Sequence, residues 1–123
     1  MHYIFPDGTF VIATKSYQRF YDDPIVLKAG EAALPIGGKE TDIEGWLWCR
    51  GDDGREGWVP ESWLRQDGSR RIAIRDYNAI ELSVASGDRL ALIFSEGGYL
   101  FCRSREGETG WLPDGIMRLD AGN

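Results

Sequence analysis

Apolar residues along the chain recur mostly with a period of two, and no window of about 11 to 18 residues shows the 3.6-residue period of an amphipathic helix. The pattern predicts short strands. Phe10-Val11-Ile12-Ala13 opens the series, and Ala32-Ala33-Leu34-Pro35-Ile36 follows Gly30-Glu31. Trp46 to Arg50 then turns through Gly51-Asp52-Asp53-Gly54 into Arg55 to Val59. Asp-Gly between two such runs signals a hairpin, because a primed turn needs a positive φ that glycine adopts without steric cost. Within Trp46 to Arg50, alternation sets Leu47 and Cys49 on one face and Trp46, Trp48 and Arg50 on the other. The small pair is expected to face inward. Pro60 after the last long strand, followed by Glu61-Ser62-Trp63, suits one 3-10 turn before a short closing strand.

The pattern occurs twice. Gly57-Trp58-Val59-Pro60 recurs as Gly110-Trp111-Leu112-Pro113, and at the same offset Trp46 to Arg50 aligns with Tyr99 to Arg103. Cys49 and Cys102 therefore share one repeat position. Lys28-Ala29-Gly30-Glu31 aligns with Ala85-Ser86-Gly87-Asp88, and the first copy is longer between these blocks, in the glycine- and charge-rich Gly37 to Asp42. The repeat divides the chain into an N-terminal arm (1–9), a first domain (10–66) and a second (71–120), with the boundary at Gln66-Asp67-Gly68-Ser69-Arg70. Cores of about 55 to 60 residues sit near the lower limit for unaided folding. Two small barrels, joined by a linker too short to let them wander, are expected to lie in contact.

Composition removes several function classes. Lys and Arg total 14 against 20 Asp and Glu, and the resulting net charge of −6 repels duplex nucleic acid. No window approaches the roughly 18 consecutive apolar residues of a membrane span. The start, Met1 to Gly8, has neither a basic n-region nor an apolar h-region, so the chain reads as non-secreted and cytoplasmic, with no membrane partner. Two cysteines and one histidine, not clustered, supply neither a zinc ligand set nor a nucleophile with its base. Hence no catalytic residue, metal or cofactor is assigned. Cys49 and Cys102 read as reduced core thiols, and His2 sits in the arm.

A family resemblance rests on four blocks: Ala13-Thr14-Lys15-Ser16-Tyr17, Asp23 to Glu31, Gly45-Trp46, and Gly57-Trp58-Val59-Pro60-Glu61-Ser62-Trp63-Leu64. In order, they resemble the ALYDY opening, the acidic RT loop with its Gly-Glu, the groove tryptophan and the G-Y-x-P-S-N-Y-V ending of SH3 domains. The second copy is similar through Ala73-Ile74-Arg75-Asp76-Tyr77, Glu81-Leu82-Ser83-Val84, Gly87-Asp88 and Gly110 to Pro113. As a pair, the copies resemble small bacterial tandem SH3 proteins labelled as ligand-binding.

This resemblance implies an all-β fold of two consecutive SH3-like five-stranded barrels joined by a short linker. It also implies a non-enzymatic interaction module whose partner is a protein or peptide, a proline-rich segment in polyproline II form lying in an aromatic groove. In the first copy the implied groove is Tyr17, Trp46, Pro60 and Trp63, flanked by Trp58, with Asp22 and Asp23 selecting a basic side chain. Lys15 stands at the first groove tyrosine, and Pro24 replaces one RT-loop acid. In the second copy Arg75 takes that tyrosine position, Tyr99 the tryptophan position and Ile116 that of Trp63. Only Tyr77, Tyr99 and Pro113 remain there, so that copy is expected to be structural or to bind something else.

Two other readings stand beside the peptide groove. The groove could be filled by the neighbouring domain, the arm or a second chain, which makes the protein an assembly or regulatory scaffold. Alternatively Tyr17, Trp46 and Trp63 beside Asp22 and Asp23 could cage a methylated lysine or another amine. Exposure of Trp46 and Trp63 separates the first two: open rings mean a peptide groove, covered rings an assembly. Ligand identity is assigned to loops such as Gly37 to Glu44, and the oligomeric state is left open.

Overall fold

The computed structural model describes residues 3–36 and 45–120; His2 and the Gly37 to Glu44 loop lie outside them. The described chain is all-β. Its first strands are β1 (Tyr3–Ile4), β2 (Phe10–Ala13), β3 (Val26–Leu27), β4 (Ala32–Pro35), β5 (Trp46–Gly51), β6 (Glu56–Pro60) and β7 (Leu64–Asp67). They are followed by β8 (Arg70–Ala73), β9 (Tyr77–Asn78), β10 (Arg89–Glu96), β11 (Tyr99–Arg103), β12 (Thr109–Pro113) and β13 (Met117–Leu119). The β5–β6 hairpin closes over Gly51 to Gly54 in the register Trp46↔Pro60, Trp48↔Trp58 and Arg50↔Glu56. Gly54 takes the positive φ, 89°, that its Asp-Gly position predicts. A 3-10 turn at Glu61–Trp63 follows Pro60, and an equivalent one at Asp114–Ile116 follows Pro113.

Residues 66–70 behave differently from a linker. β7 and β8 form a hairpin in the register Leu64↔Ala73, Arg65↔Ile72, Gln66↔Arg71 and Asp67↔Arg70, closed by Gly68-Ser69 with Gly68 at φ 65°. The opening strand of the second repeat therefore joins the strands of the first, in a five-stranded sheet of order β6-β5-β4-β8-β7. β3 pairs with β9 through Val26↔Asn78 and Leu27↔Tyr77, so the RT-loop ladder also combines both repeats. Together these elements make one compact unit, Asp22–Ile80.

The other unit is Met1–Tyr21 with Glu81–Asn123. Its sheet runs β12-β11-β10-β2-β13, and β1 pairs with the far end of β10 through Tyr3↔Ser95 and Ile4↔Phe94. Two SH3-like barrels are thus present, each opened by a strand from the other repeat. The repeats divide at 66–71, whereas the compact units divide at 21/22 and 80/81. The physical reason is the hairpin. Within a barrel of this kind the opening and closing strands are antiparallel neighbours, so a two-residue turn passes from β7 into β8 without breaking their ladder.

Each unit closes around its own apolar interior. In Met1–Tyr21/Glu81–Asn123 the buried cluster is Val11, Leu82, Leu90, Leu92, Cys102 and Leu112. In Asp22–Ile80 the fully buried residues include Ile25, Cys49 and Val59. Cys49 faces inward as alternation requires, but Trp46 and Trp48 are also buried, against the outward placement expected for them. For Trp48 the cover is visible: its ring meets Trp58 edge-on at 5.2 Å and its Nε1 donates to the Glu56 carboxylate at 2.8 Å.

Candidate functional site

The strand exchange separates the groove residues that the sequence groups together. Trp46 on β5, Pro60 at the end of β6, Trp63 on the first 3-10 turn, Trp58, Asp22 and Asp23 all belong to Asp22–Ile80, whereas Tyr17 belongs to the other unit. Trp46 and Trp63 are 9% and 6% exposed, and Pro60 is fully buried. Trp58 is half-buried, and its carbonyl accepts the Tyr77 hydroxyl at 2.7 Å. Tyr77 meets the Trp63 ring edge-on at 5.3 Å. Arg75 lays its guanidinium carbon 3.8 Å from the Trp63 ring centroid. Asp23 is exposed and accepts from Arg55 at 2.9 Å; Arg55 also reaches Asp53 at 2.8 Å, which ties the loop start to the β5–β6 turn. The hydrogen bonds from Arg55 hold the Asp53 carboxyl below its ordinary range.

Tyr17 stands instead among residues of the second repeat. Its backbone exchanges hydrogen bonds with Val84, and its hydroxyl donates to the Glu81 carboxylate at 2.8 Å. Tyr17 and Ile116 both pack on the same core cluster, and Tyr99 lies opposite Pro113 in the β11–β12 ladder. Glu81 bridges to Trp111 on β12 and also accepts the backbone N–H of Phe20. Burial raises its carboxyl above the ordinary range, against the lowering effect of the Tyr17 hydrogen bond. Burial also raises the hydroxyls of Tyr17 and Tyr99, and the nearby Glu81 charge adds to both shifts. Phe20 continues this surface: its ring meets Tyr17 edge-on at 6.1 Å and is followed by Tyr21 at 6.5 Å.

Glu81, Arg75 and Phe20 lie outside the sequence-derived groove sets, and Tyr77 has a different neighbour from the one the repeat gives it. Glu81 is an RT-loop acid of the second copy, a signal present in its alignment with the first. The repeat groups Arg75 and Tyr77 with Tyr99, whereas the exchange sets them beside Trp63. Phe20 lies in the RT loop, where no periodicity marks it. Among the described residues no group of three or more His, Cys, Asp or Glu side chains is arranged to hold a metal ion. Both cysteines are free and fully buried, and burial pushes their thiols up to about 11 for Cys49 and about 12 for Cys102.

Residues 10–67 match the family model described as variant SH3 domain. No curated protein and no solved structure gives a significant match. SH3 domains are in general protein-interaction modules rather than enzymes. The matched segment spans the exchange, with β2 in one compact unit and β4 to β7 in the other.

Proposed function

We propose that the protein is a non-enzymatic protein-interaction module that receives an extended or proline-rich peptide at the surface around Tyr17, Glu81 and Tyr99. One observation carries this reading: Phe20 is 77% exposed beside a half-buried Tyr17, a large apolar ring kept in water next to a desolvated carboxylate. A proline ring stacks on the aromatic faces, and a basic side chain of the ligand meets Glu81. The net charge of −6 favours such a polypeptide over duplex nucleic acid.

The groove around Trp46 and Trp63 fits the covered alternative better. Its two tryptophans are buried and one carries Arg75, which leaves no free wall for a proline ring at Trp63. An amine cage of Tyr17, Trp46 and Trp63 draws on two different units and has no support as a single site.

The test is a nuclear magnetic resonance titration of the full chain with a proline-rich decapeptide carrying one arginine. The expected shifts fall at Tyr17, Phe20 and Tyr99, and Tyr17→Ala or Tyr99→Ala weakens binding by about tenfold or more. Absence of binding, or shifts confined to Trp46, overturns the reading. A trimethyl-lysine peptide binding more tightly than the proline-rich one would transfer it to amine recognition.

A further inference from the structure

Two residues before Tyr17 stands a cation that the peptide reading leaves unused, and hydrogen bonds on either side of it fix its place. Thr14 is tied to the second 3-10 turn twice: its backbone N–H and its hydroxyl both donate to the Ile116 carbonyl, at 2.7 and 2.9 Å. On the other side, the Ser16 Oγ accepts the Ser86 N–H at 3.1 Å. Lys15 is therefore anchored at the Ile116 end of the Tyr17 surface. Its side chain is exposed, and its ammonium enters no ion pair among the described residues. The turn beside it is open, since a Cβ added at Gly115 would meet nothing within 4 Å.

The other end of this surface is acidic. Glu81 accepts the Tyr17 hydroxyl, and the exposed Asp114 begins the turn next to Gly98, whose carbonyl accepts its N–H at 3.1 Å. Gly98 adjoins Tyr99, whose hydroxyl is raised by burial and then by the Glu81 charge. The surface thus runs from Lys15 and Ile116, past Tyr17, to Tyr99, Asp114 and Glu81. Its two ends carry opposite charge.

We propose that Lys15 sets the polarity of the ligand: the peptide received at the Tyr17 surface carries an Asp or Glu side chain at the end over Ile116, opposite the basic side chain that meets Glu81. This rests on the reading of the Tyr17 surface as a peptide site and adds the class of peptide that it takes. An extended polyproline II segment advances about 3.1 Å per residue and keeps charges at its two ends apart, so one molecule reaches both poles. Turned end for end, it sets its base against Lys15 and its acid against Glu81, and like charges repel. An ammonium on a flexible stem follows a carboxylate through small changes of register, which a planar, bidentate guanidinium does less readily. The contact is exposed. It selects direction and partner rather than supplying most of the affinity.

The experiment titrates the isotope-labelled full chain at low ionic strength with N-acetylated, C-amidated, proline-rich decapeptides. Each carries arginine near one end and glutamate, glutamine or lysine near the other, and each is made in both chain directions. In the better-binding direction the glutamate peptide is expected to bind about two- to fivefold more tightly than the glutamine peptide, the range of an exposed ion pair, and the lysine peptide more weakly than either. Added salt is expected to shrink the preference. Lys15→Gln is expected to abolish it and Lys15→Glu to reverse it in favour of the lysine peptide. Arg118→Gln, on β13 after the turn, is expected to leave it unchanged. Equal affinity for the glutamate and glutamine peptides, or a glutamate preference that survives Lys15→Gln, overturns the proposal and leaves the Tyr17 reading in place. Failure of every peptide to bind overturns that reading and this inference together. Failure of both Lys15 variants to fold shows a structural role for Lys15 and overturns the proposal equally.

Discussion

The Tyr17 hydroxyl donates a 2.8 Å hydrogen bond to the Glu81 carboxylate across 64 residues of sequence, and the two residues belong to different repeats. The bond joins the two arms of one RT loop, which the chain leaves after Tyr21 and re-enters at Glu81 after building the whole of the other unit.

Burial of Glu81 makes stability depend on pH. Burial raises the Glu81 carboxyl in the folded protein, so the folded state binds this proton more tightly than the unfolded chain. The group's favourable contribution is complete below the ordinary carboxylate range and is lost as pH rises through the raised value. Glu81→Gln keeps an acceptor for Tyr17 and has no proton to lose. The variant is expected to melt higher than wild type at neutral pH, with the difference shrinking as the solution is acidified. Tyr17→Phe removes the donor and is expected to cost about 1 to 2 kcal/mol. Thermal melts across acidic to neutral pH check both.

The strand exchange makes a fragment prediction. Residues 22–80 contain every strand of the sheet β6-β5-β4-β8-β7 together with the β3–β9 ladder. That fragment is expected to fold alone with a single cooperative melting transition, although it begins and ends inside an RT loop. If 22–80 is unfolded by circular dichroism while 10–66 folds, the contiguous pairing is the one present in solution.

Strand positions, hairpin turns and both 3-10 turns follow from local pattern, because alternation, Asp-Gly and Pro are read within a few residues. Which repeat supplies β2 or β8 to a given barrel is not a local property. Phe10 to Ala13 and Arg70 to Ala73 each end on an alanine and occupy equivalent barrel positions, so periodicity fits either partner. The deciding feature is the length of the connection at Gly68-Ser69, which reads equally as linker or hairpin turn until the register of β7 and β8 is known. The groove assignment depends on that choice. Assigning Tyr17 to Trp46 follows the repeat, whereas the fold gives Trp63 the pair Arg75 and Tyr77 and gives Tyr17 to Glu81. Coverage of Trp46 is likewise invisible to alternation, which separates the two faces of a strand without saying that both are packed.

Both thiols are expected to resist labelling in the native state. Cys49 and Cys102 are fully buried, and burial lifts their ionisation to about 11, against the opposing Arg71 charge, and about 12, which leaves little thiolate at neutral pH. Reaction with a thiol reagent is expected to proceed at the rate of unfolding and to accelerate in denaturant. Fast labelling without denaturant would contradict the burial. Cys49→Leu or Cys102→Leu is expected to cost about 1 to 3 kcal/mol by overpacking.

Gly57 is where the exchanged RT loop presses hardest on the sheet. A Cβ at this position would stand 2.9 Å from Cγ2 of Ile25 and 3.3 Å from both the Ile25 backbone nitrogen and the Ala79 Cβ. Ile25 precedes β3 from the first repeat and Ala79 follows β9 from the second; the Ala79 N–H donates to the Ile25 carbonyl at 3.1 Å. Neither segment retreats freely, since the Ile25 N–H is bonded to the Glu56 carbonyl at 3.0 Å and the Ile25 side chain is fully buried. Gly57→Ala is therefore expected to destabilise by about 1 to 3 kcal/mol through overpacking and to loosen the β3–β9 ladder. Gly51 provides the internal control: it lies on the preceding strand near the same isoleucine, but its added Cβ would meet nothing closer than 3.5 Å, ordinary contact. Gly51→Ala is expected to cost well under half as much. Urea denaturation gives the ranking, and amide exchange at Val26, Leu27 and Asn78 reports the ladder. Equal losses at the two glycines, with those amides unchanged, would show that the two loop arms do not close over Gly57 together.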